Sequence, residues 1–293
     1  ARIARRLRAV GTAAERIRGG DVQSLVPHAG RENELTQMCR EVDALVTELI
    51  GLDADQFQQV ILLPQGRFAE VLRAAGVRYA FTVPGESFLG LLEGLDAVGI
   101  RVVTTHHEGA AAFAAEAHGQ LTGRPAAVIG TRAVGAANMS IGIHTAFADS
   151  TPMFALVGGV DRPFRGREAF QEVDQVRTFG GLAKWAVELD DAATVATAME
   201  TAVTQALGGR PGPVLISMPE DLLDEAVPAA TIATARPPRV AGFADGDVRA
   251  VLHLLASASR PVILAGGGVL RSRCSNDLVR FAELLHVPCR LHV

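Results

Sequence analysis

Aromatic side chains are scarce in this 293-residue chain, at 5% with one Trp and one Tyr. That leaves little for stacking on nucleic-acid bases, and a nucleic-acid partner is not expected. Lysine is rarer still: Lys184 is the only one, and arginine supplies the rest of the basic charge. The formal charge of -4 gives no general reason to expect a polyanionic partner. Cysteine is limited to Cys39, Cys274 and Cys289, far apart and without metal-ligand spacing. Free thiols in a reducing cytoplasm are the simplest reading. No apolar run reaches membrane-spanning length. The opening ARIARRLRAV has charge but no apolar core for a signal peptide. The first residue is not methionine and the last three, LHV, begin a strand-like run, so both ends read as cut.

What is present is apolar and small. Hydrophobic residues make up 48% and charged residues 20%, which suits a buried core and argues against disorder. Residues 1 to about 40 are Arg-rich and weakly periodic, and read as a poorly ordered leader. Helical spacing follows at Val42, Leu45, Val46, Leu49 and Ile50. From about Phe68 strand-like runs alternate with helical ones. The strands are expected at Tyr79–Val83, Ile100–Thr105, Ala126–Thr131, Met153–Gly158, Lys184–Leu189 and Pro213–Met218. Helices are expected at 86–97, 109–122, 136–148 and 191–207. This alternation predicts an α/β fold, a six-stranded parallel sheet with helices on both faces. The Pro- and Ala-rich stretch 227–240 reads as a linker. Beyond it, a helix at Asp247–Ala256, a buried strand in 260–268 and a helix at Ser275–Leu285 predict the start of a second α/β domain.

The chemistry is concentrated in TTHHEGAAAFAAEAHG, residues 104–119. There a β-rich run gives way to an Ala-rich helix, and the turn carries His106, His107 and Glu108. In an open parallel sheet such a turn lies at the carboxyl ends of the strands, where ligands bind. Taken alone, Glu108 is a favourable first-turn charge on a helix. The two histidines are either proton shuttles or structural hydrogen-bonding groups.

Two resemblances follow from longer motifs. The stretch from Val42 to Ala74, with LLPQGRF, resembles the amino-terminal ATPase lobe of SbcC-type, SMC-like exonuclease subunits. That likeness implies a nucleotide role for Gln65. No G-x-x-x-x-G-K-[ST] phosphate loop precedes it and no Walker B segment follows, so an ATP site is not expected. The second resemblance rests on VLRAAGVRYAFTVPGES, HHEGAAAFAAEAHGQLTG, TRAVGAANMSIGIHTAFADSTPMFALVGGV, EAFQEVDQ and GPVLISMPEDL, in that order. Together these resemble the aminopyrimidine-binding (PYR) domain of thiamine diphosphate enzymes of the acetolactate synthase type. The likeness implies a leader over 1–68, a PYR domain over 69–228, a linker over 229–243 and the start of the family's central domain over 244–293.

It also implies a function, carboligation or decarboxylation of a 2-oxo acid. Glu108 takes the place of the family's activating glutamate. A carboxylic acid hydrogen-bonded to the pyrimidine ring helps the cofactor lose its thiazolium C2 proton, after which the cofactor serves as electron sink. Pro84, Gly85 and Glu86 in VPGES, with Thr131, Gly135 and Asn138 in TRAVGAAN, are implied beside the cofactor. Phe170, Gln171 and Lys184 are implied near the substrate. The family usually has Gly-Pro-Gly where this chain has Ala133, Val134 and Gly135. Ala and Val take φ > 0 at a cost, so a reshaped loop is expected. The domain that holds the diphosphate and Mg2+ in the family has no counterpart in these 293 residues. FAD, carried by some members' central domain, and a homodimer or tetramer are further implications. Two other readings are a non-catalytic PYR-type dimerisation module and an SMC-like DNA-repair ATPase fragment.

Overall fold

The computed structural model describes residues 64–223, 225 and 242–291. Residues 1–63 of the expected leader, the helix over 42–50 and most of the linker lie outside the described residues, and the first described helix runs across the expected boundary at 68/69. The first described helix, α1 (Pro64–Ala74), starts on a proline, whose missing N–H costs nothing in a first turn. It buries Phe68, Ala69, Val71 and Leu72. All six expected strands form: β1 (Tyr79–Thr82), β2 (Arg101–Thr104), β3 (Ala126–Thr131), β4 (Met153–Gly159), β5 (Trp185–Glu188) and β6 (Pro213–Pro219). They pair in the order β2-β1-β3-β4-β6-β5, every pair parallel. Every residue of β4 and β6 is buried, which explains why these two strands read as unbroken apolar runs. The edge strands β2 and β5 have no fully buried residue and shorter apolar runs.

The expected helix over 86–97 divides into a 3-10 turn, Glu86–Phe88, and α2 (Leu89–Ala97). Next come α3 (Glu108–Thr122) and α4 (Arg132–Ala148), which pack closely on each other. A Cβ on Gly142 of α4 would lie 2.5 Å from the Ala112 Cβ of α3, so the approach needs glycine there. Ala111, Ala115, Val128, Met139 and Ile143 fill the core between these helices and the sheet. Helix α4 starts four residues before the expected position. Ala133 and Val134 are helical, and the positive φ falls on Arg132 at 43°. Neither Ala133 nor Val134 is therefore forced into the left-handed region. A short helix α5 (Gln175–Phe179) packs against α4, whereas α6 (Val195–Leu207) and α7 (Glu220–Leu223) pack against α1, which itself lies on α2.

The last described segment contains α8 (Asp245–Ser257), β7 (Ile263–Ala265), α9 (Gly267–Arg271), α10 (Ser275–Leu285) and β8 (Cys289–Leu291). Strands β7 and β8 form a two-stranded parallel sheet. The expectation of a buried strand in 260–268 is corrected here. Ala265 is buried, but Val262 and Leu264 are exposed, because two strands provide too little surface to cover both faces.

Candidate functional site

In this sheet the chain moves outward from β1 to β2, then returns to place β3 on the other side of β1. The carboxyl ends of β1 and β3 therefore flank a topological switch point, where open α/β sheets form their ligand crevice. The turn after β1 carries Pro84, Gly85 and Glu86, and Thr131 ends β3. A Cβ on Gly85 would stand 2.8 Å from the Thr131 Cβ, so only glycine lets the two loops approach this closely. Ser87 Oγ and Thr131 Oγ1, 2.7 Å apart, bind the loops together.

Glu108 opens α3 beside this crevice and is buried, with 8% exposure. His107 is its N-cap: the imidazole Nδ1 accepts from the Gly109 N–H at 2.9 Å. That contact favours the structural reading of His107, while His106 is exposed. The Asn138 amide Nδ2 donates to Glu108 Oε2 at 2.9 Å. Oε1 has no hydrogen-bond partner among the described residues. A Cβ placed on Gly135 would lie 3.7 Å from that oxygen and 2.8 Å from the carbonyl carbon of Gly130. The spacing leaves no room for a side chain at 135. One oxygen of Glu108 is thus fixed and the other remains available.

Glu86 faces a different partner. Arg132 reaches Glu86 Oε1 at 3.1 Å and Glu220 Oε2 at 3.2 Å. Burial raises the Glu220 pKa, against the opposing pull of Arg132. The Arg132 guanidinium also lies 5.9 Å from the centre of the Phe170 ring, within cation–π range. The Ala133 N–H donates to the Gln171 carbonyl at 3.3 Å. Arg132 and its neighbour thereby hold Phe170 and Gln171 at the same end of the sheet as Glu108. Phe170 is largely exposed, and the Gln171 side-chain Oε1 is buried without a partner.

Two further arginines anchor the loop between β4 and α5. Arg162 pairs with Asp221 at 2.8 Å and Glu225 at 3.0 Å, and Arg165 with Glu188 at 2.6 Å and Asp190 at 2.7 Å. Backbone N–H groups of Gly166 and Ala169 hold the Glu172 carboxyl below its ordinary pKa. Beside this loop lies a hollow of about 440 Å³ lined by Gly159, Gln171, Gln175 and Ser217 among others. Gln175 is buried, donates to the Gly158 carbonyl at 3.2 Å, and has an unpartnered Oε1.

Lys184 lies elsewhere. It precedes β5, at the amino end of the sheet, and its Nζ donates to the carbonyls of Gln205 and Gly208. It caps the last turn of α6, and burial lowers its pKa. The structure therefore does not bring it to Phe170 and Gln171. Sequence reasoning missed Arg132, Gln175 and Ser87, although all three lie inside quoted motifs. Their signal was adjacency to motif residues, with nothing in their type to show a contact. Among the described residues no three His, Cys, Asp or Glu side chains are grouped as metal ligands.

Residues 66–178 match the family described as thiamine pyrophosphate enzyme, N-terminal TPP binding domain, and residues 248–291 match its central domain. A probable acetolactate synthase large subunit from Methanococcus aeolicus is 34% identical over 226 residues, which are 75% of this chain and 38% of the relative. A catabolic acetolactate synthase from Raoultella terrigena is 33% identical over 195 residues, 67% of this chain and 35% of the relative. The chloroplastic acetolactate synthase of Arabidopsis thaliana is 32% identical over 225 residues, 75% of this chain and 33% of the relative. The chain thus spans well under half the length of these relatives. The likeness of residues 42–74 to an SbcC-type lobe finds no support in these matches, and α1 belongs to the same layered fold as the sheet. By its fold and by both family matches, the chain is similar to the amino-terminal and central parts of thiamine pyrophosphate enzymes of the acetolactate synthase kind.

Proposed function

We propose that this chain is part of a thiamine diphosphate-dependent carboligase or decarboxylase that acts on 2-oxo acids. The observation that carries the reading is the setting of Glu108: buried, held by Asn138 through one oxygen, and open at the other beside a glycine-lined gap. A cofactor pyrimidine needs such a group, a carboxyl that exchanges a proton in a place from which bulk water is mostly excluded. When bound, the cofactor supplies the electron sink. Glu108 would hold the pyrimidine, Gly85 and Gly135 would let it approach the backbone, and Asn138 would orient the carboxyl. Pro84 and Thr131 shape the same crevice. Glu86 would act indirectly, by fixing Arg132. Phe170 and Gln171 would meet the 2-oxo acid, whose carboxylate and ketone oxygens accept from an amide N–H such as that of Gln171.

The boundaries near residues 69, 228 and 244 belong to this proposal, as do a homodimer or tetramer, FAD in the central domain and a cytoplasmic setting. Magnesium would be held by residues other than those described here. The test is pyruvate consumption by the full-length gene product, supplied with thiamine diphosphate and Mg2+, for the native sequence and Glu108→Gln. A loss of at least about 100-fold in turnover, with unchanged circular dichroism, is the expected result. Equal rates in both, or no consumption of 2-oxo acids by the native protein, would overturn the reading.

A further inference from the structure

At the amino end of the sheet, opposite Glu108, four arginines converge. Arg73 lies in the last turn of α1, Arg78 directly precedes β1, Arg101 begins β2, and Arg124 precedes β3. With Tyr79 and His118 they border a hollow of about 640 Å³, to which Arg273, after α9, also contributes. None of these arginines has a carboxylate within salt-bridge distance among the described residues. Elsewhere in this fold, Arg132, Arg162 and Arg165 each hold two.

The uncompensated charge acts on its neighbours. Arg78 donates to the carbonyls of Arg73 and Val77, which fixes it at the helix end. Its pKa is lowered by burial, then by the like charges of Arg73 and Arg124. The imidazole of His118 stands edge-on to the Tyr79 ring, 5.3 Å between centres, and its Nε2 is buried without a partner. Burial and Arg124 lower the His118 pKa as well. Several like charges around one hollow repel one another, and an anion bound among them would relieve that repulsion.

We propose that this hollow is a binding site for a small polyanion bearing a phosphate or pyrophosphate group. A single carboxylate would neutralise one guanidinium. A phosphate dianion offers three oxygens in the geometry that guanidinium forks match in pairs, and pyrophosphate spans more of the ring. The bound anion would tie together the starts of β1, β2 and β3 with the ends of α1 and α3. The site is independent of the proposed cofactor crevice, at the other end of the strands.

Sodium pyrophosphate is the probe, added to the 293-residue chain against sodium chloride of equal ionic strength. Pyrophosphate should raise the thermal midpoint by several degrees and raise the His118 titration measured by NMR. Both effects should be weakened at least tenfold in apparent affinity by the double variant Arg101→Gln/Arg124→Gln. Those two side chains are exposed and have no described ion pair, so the fold should persist. Glu108→Gln should respond as the native chain does. No shift beyond that of chloride, a shift retained by the double variant, or one lost in Glu108→Gln would each overturn the proposal.

Discussion

The two ends of this sheet are built from the same strands and handle charge in opposite ways. At the carboxyl end, Arg132, Arg162 and Arg165 are each shared between two carboxylates, and the loops they join become one rigid rim. At the amino end, Arg73, Arg78, Arg101 and Arg124 border one hollow with no carboxylate in salt-bridge distance among the described residues. The rim has met its electrostatic needs internally, which leaves the free oxygen of Glu108 for a ligand. The amino end has not, and its surplus is an expectation of a ligand of opposite sign. Net charge of the whole chain conceals this division, because acids and arginines are averaged over both ends.

The largest expected effect is on turnover, and it falls at the carboxyl end alone. Glu108→Gln in the full-length protein should cost at least about 100-fold, whereas Arg101→Gln/Arg124→Gln should leave 2-oxo acid turnover within about threefold. A large loss in the double variant would show that the two ends are coupled, and the comparison would need to be redrawn. Next in size is a packing effect. A Cβ on Gly158 would stand 2.2 Å from Ser87 Oγ and 2.8 Å from the Ser87 carbonyl oxygen, so the neighbour cannot yield by a rotamer change alone. Gly158→Ala should lower unfolding stability by about 2 kcal/mol in urea titration. An unchanged midpoint would mean that the rim is looser than its contacts indicate.

Much of the fold was legible in the sequence because a parallel sheet buried on both faces leaves a strong signal. MFALVGG and PVLISMP have no polar alternation, and both strands are fully buried. Boundaries were less legible where side chains set them. Helix α4 begins at Arg132 because that residue takes the positive φ, and no spacing rule shows which residue of TRAVG will do so. At the site, Glu108, Gly135 and Asn138 were named from motifs and do converge. Lys184 was named too, but its distance from Phe170 and Gln171 is fixed by topology: it lies before a strand and they lie after one. The arginine ring was invisible for a similar reason. Its members are separated by 51 positions from Arg73 to Arg124, and only parallel register brings the starts of β1, β2 and β3 together.

Lys184 therefore provides a smaller and more pointed test. Its ammonium donates to two carbonyls at the end of α6, so Lys184→Met should destabilise by about 1 kcal/mol. In the full-length protein the KM for pyruvate should stay within twofold. A several-fold rise in KM at unchanged stability would return this lysine to the substrate and break the separation of the two ends.

The smallest expected effect concerns the acids of the rim. Glu188 has its pKa raised, chiefly by burial; Arg165 opposes the shift, and Asp174, Asp190 and Glu172 add to it. A carboxyl whose pKa is higher in the folded state than its ordinary value near 4.5 is bound as the protonated form more tightly when folded. Its contribution to stability is fully present below that ordinary value and is lost as pH rises through the raised one. Glu188→Gln removes this titration while keeping the shape of the side chain. The native chain should therefore lose more stability than the variant as pH rises upward from 4.5, measured by urea midpoints at each pH. If instead the native chain gains on the variant over that rise, the Arg165 pair outweighs burial. The rim would then be held by its ion pairs more firmly than its crowding of acids implies, and the contrast with the unpaired arginines at the other end would be sharper still.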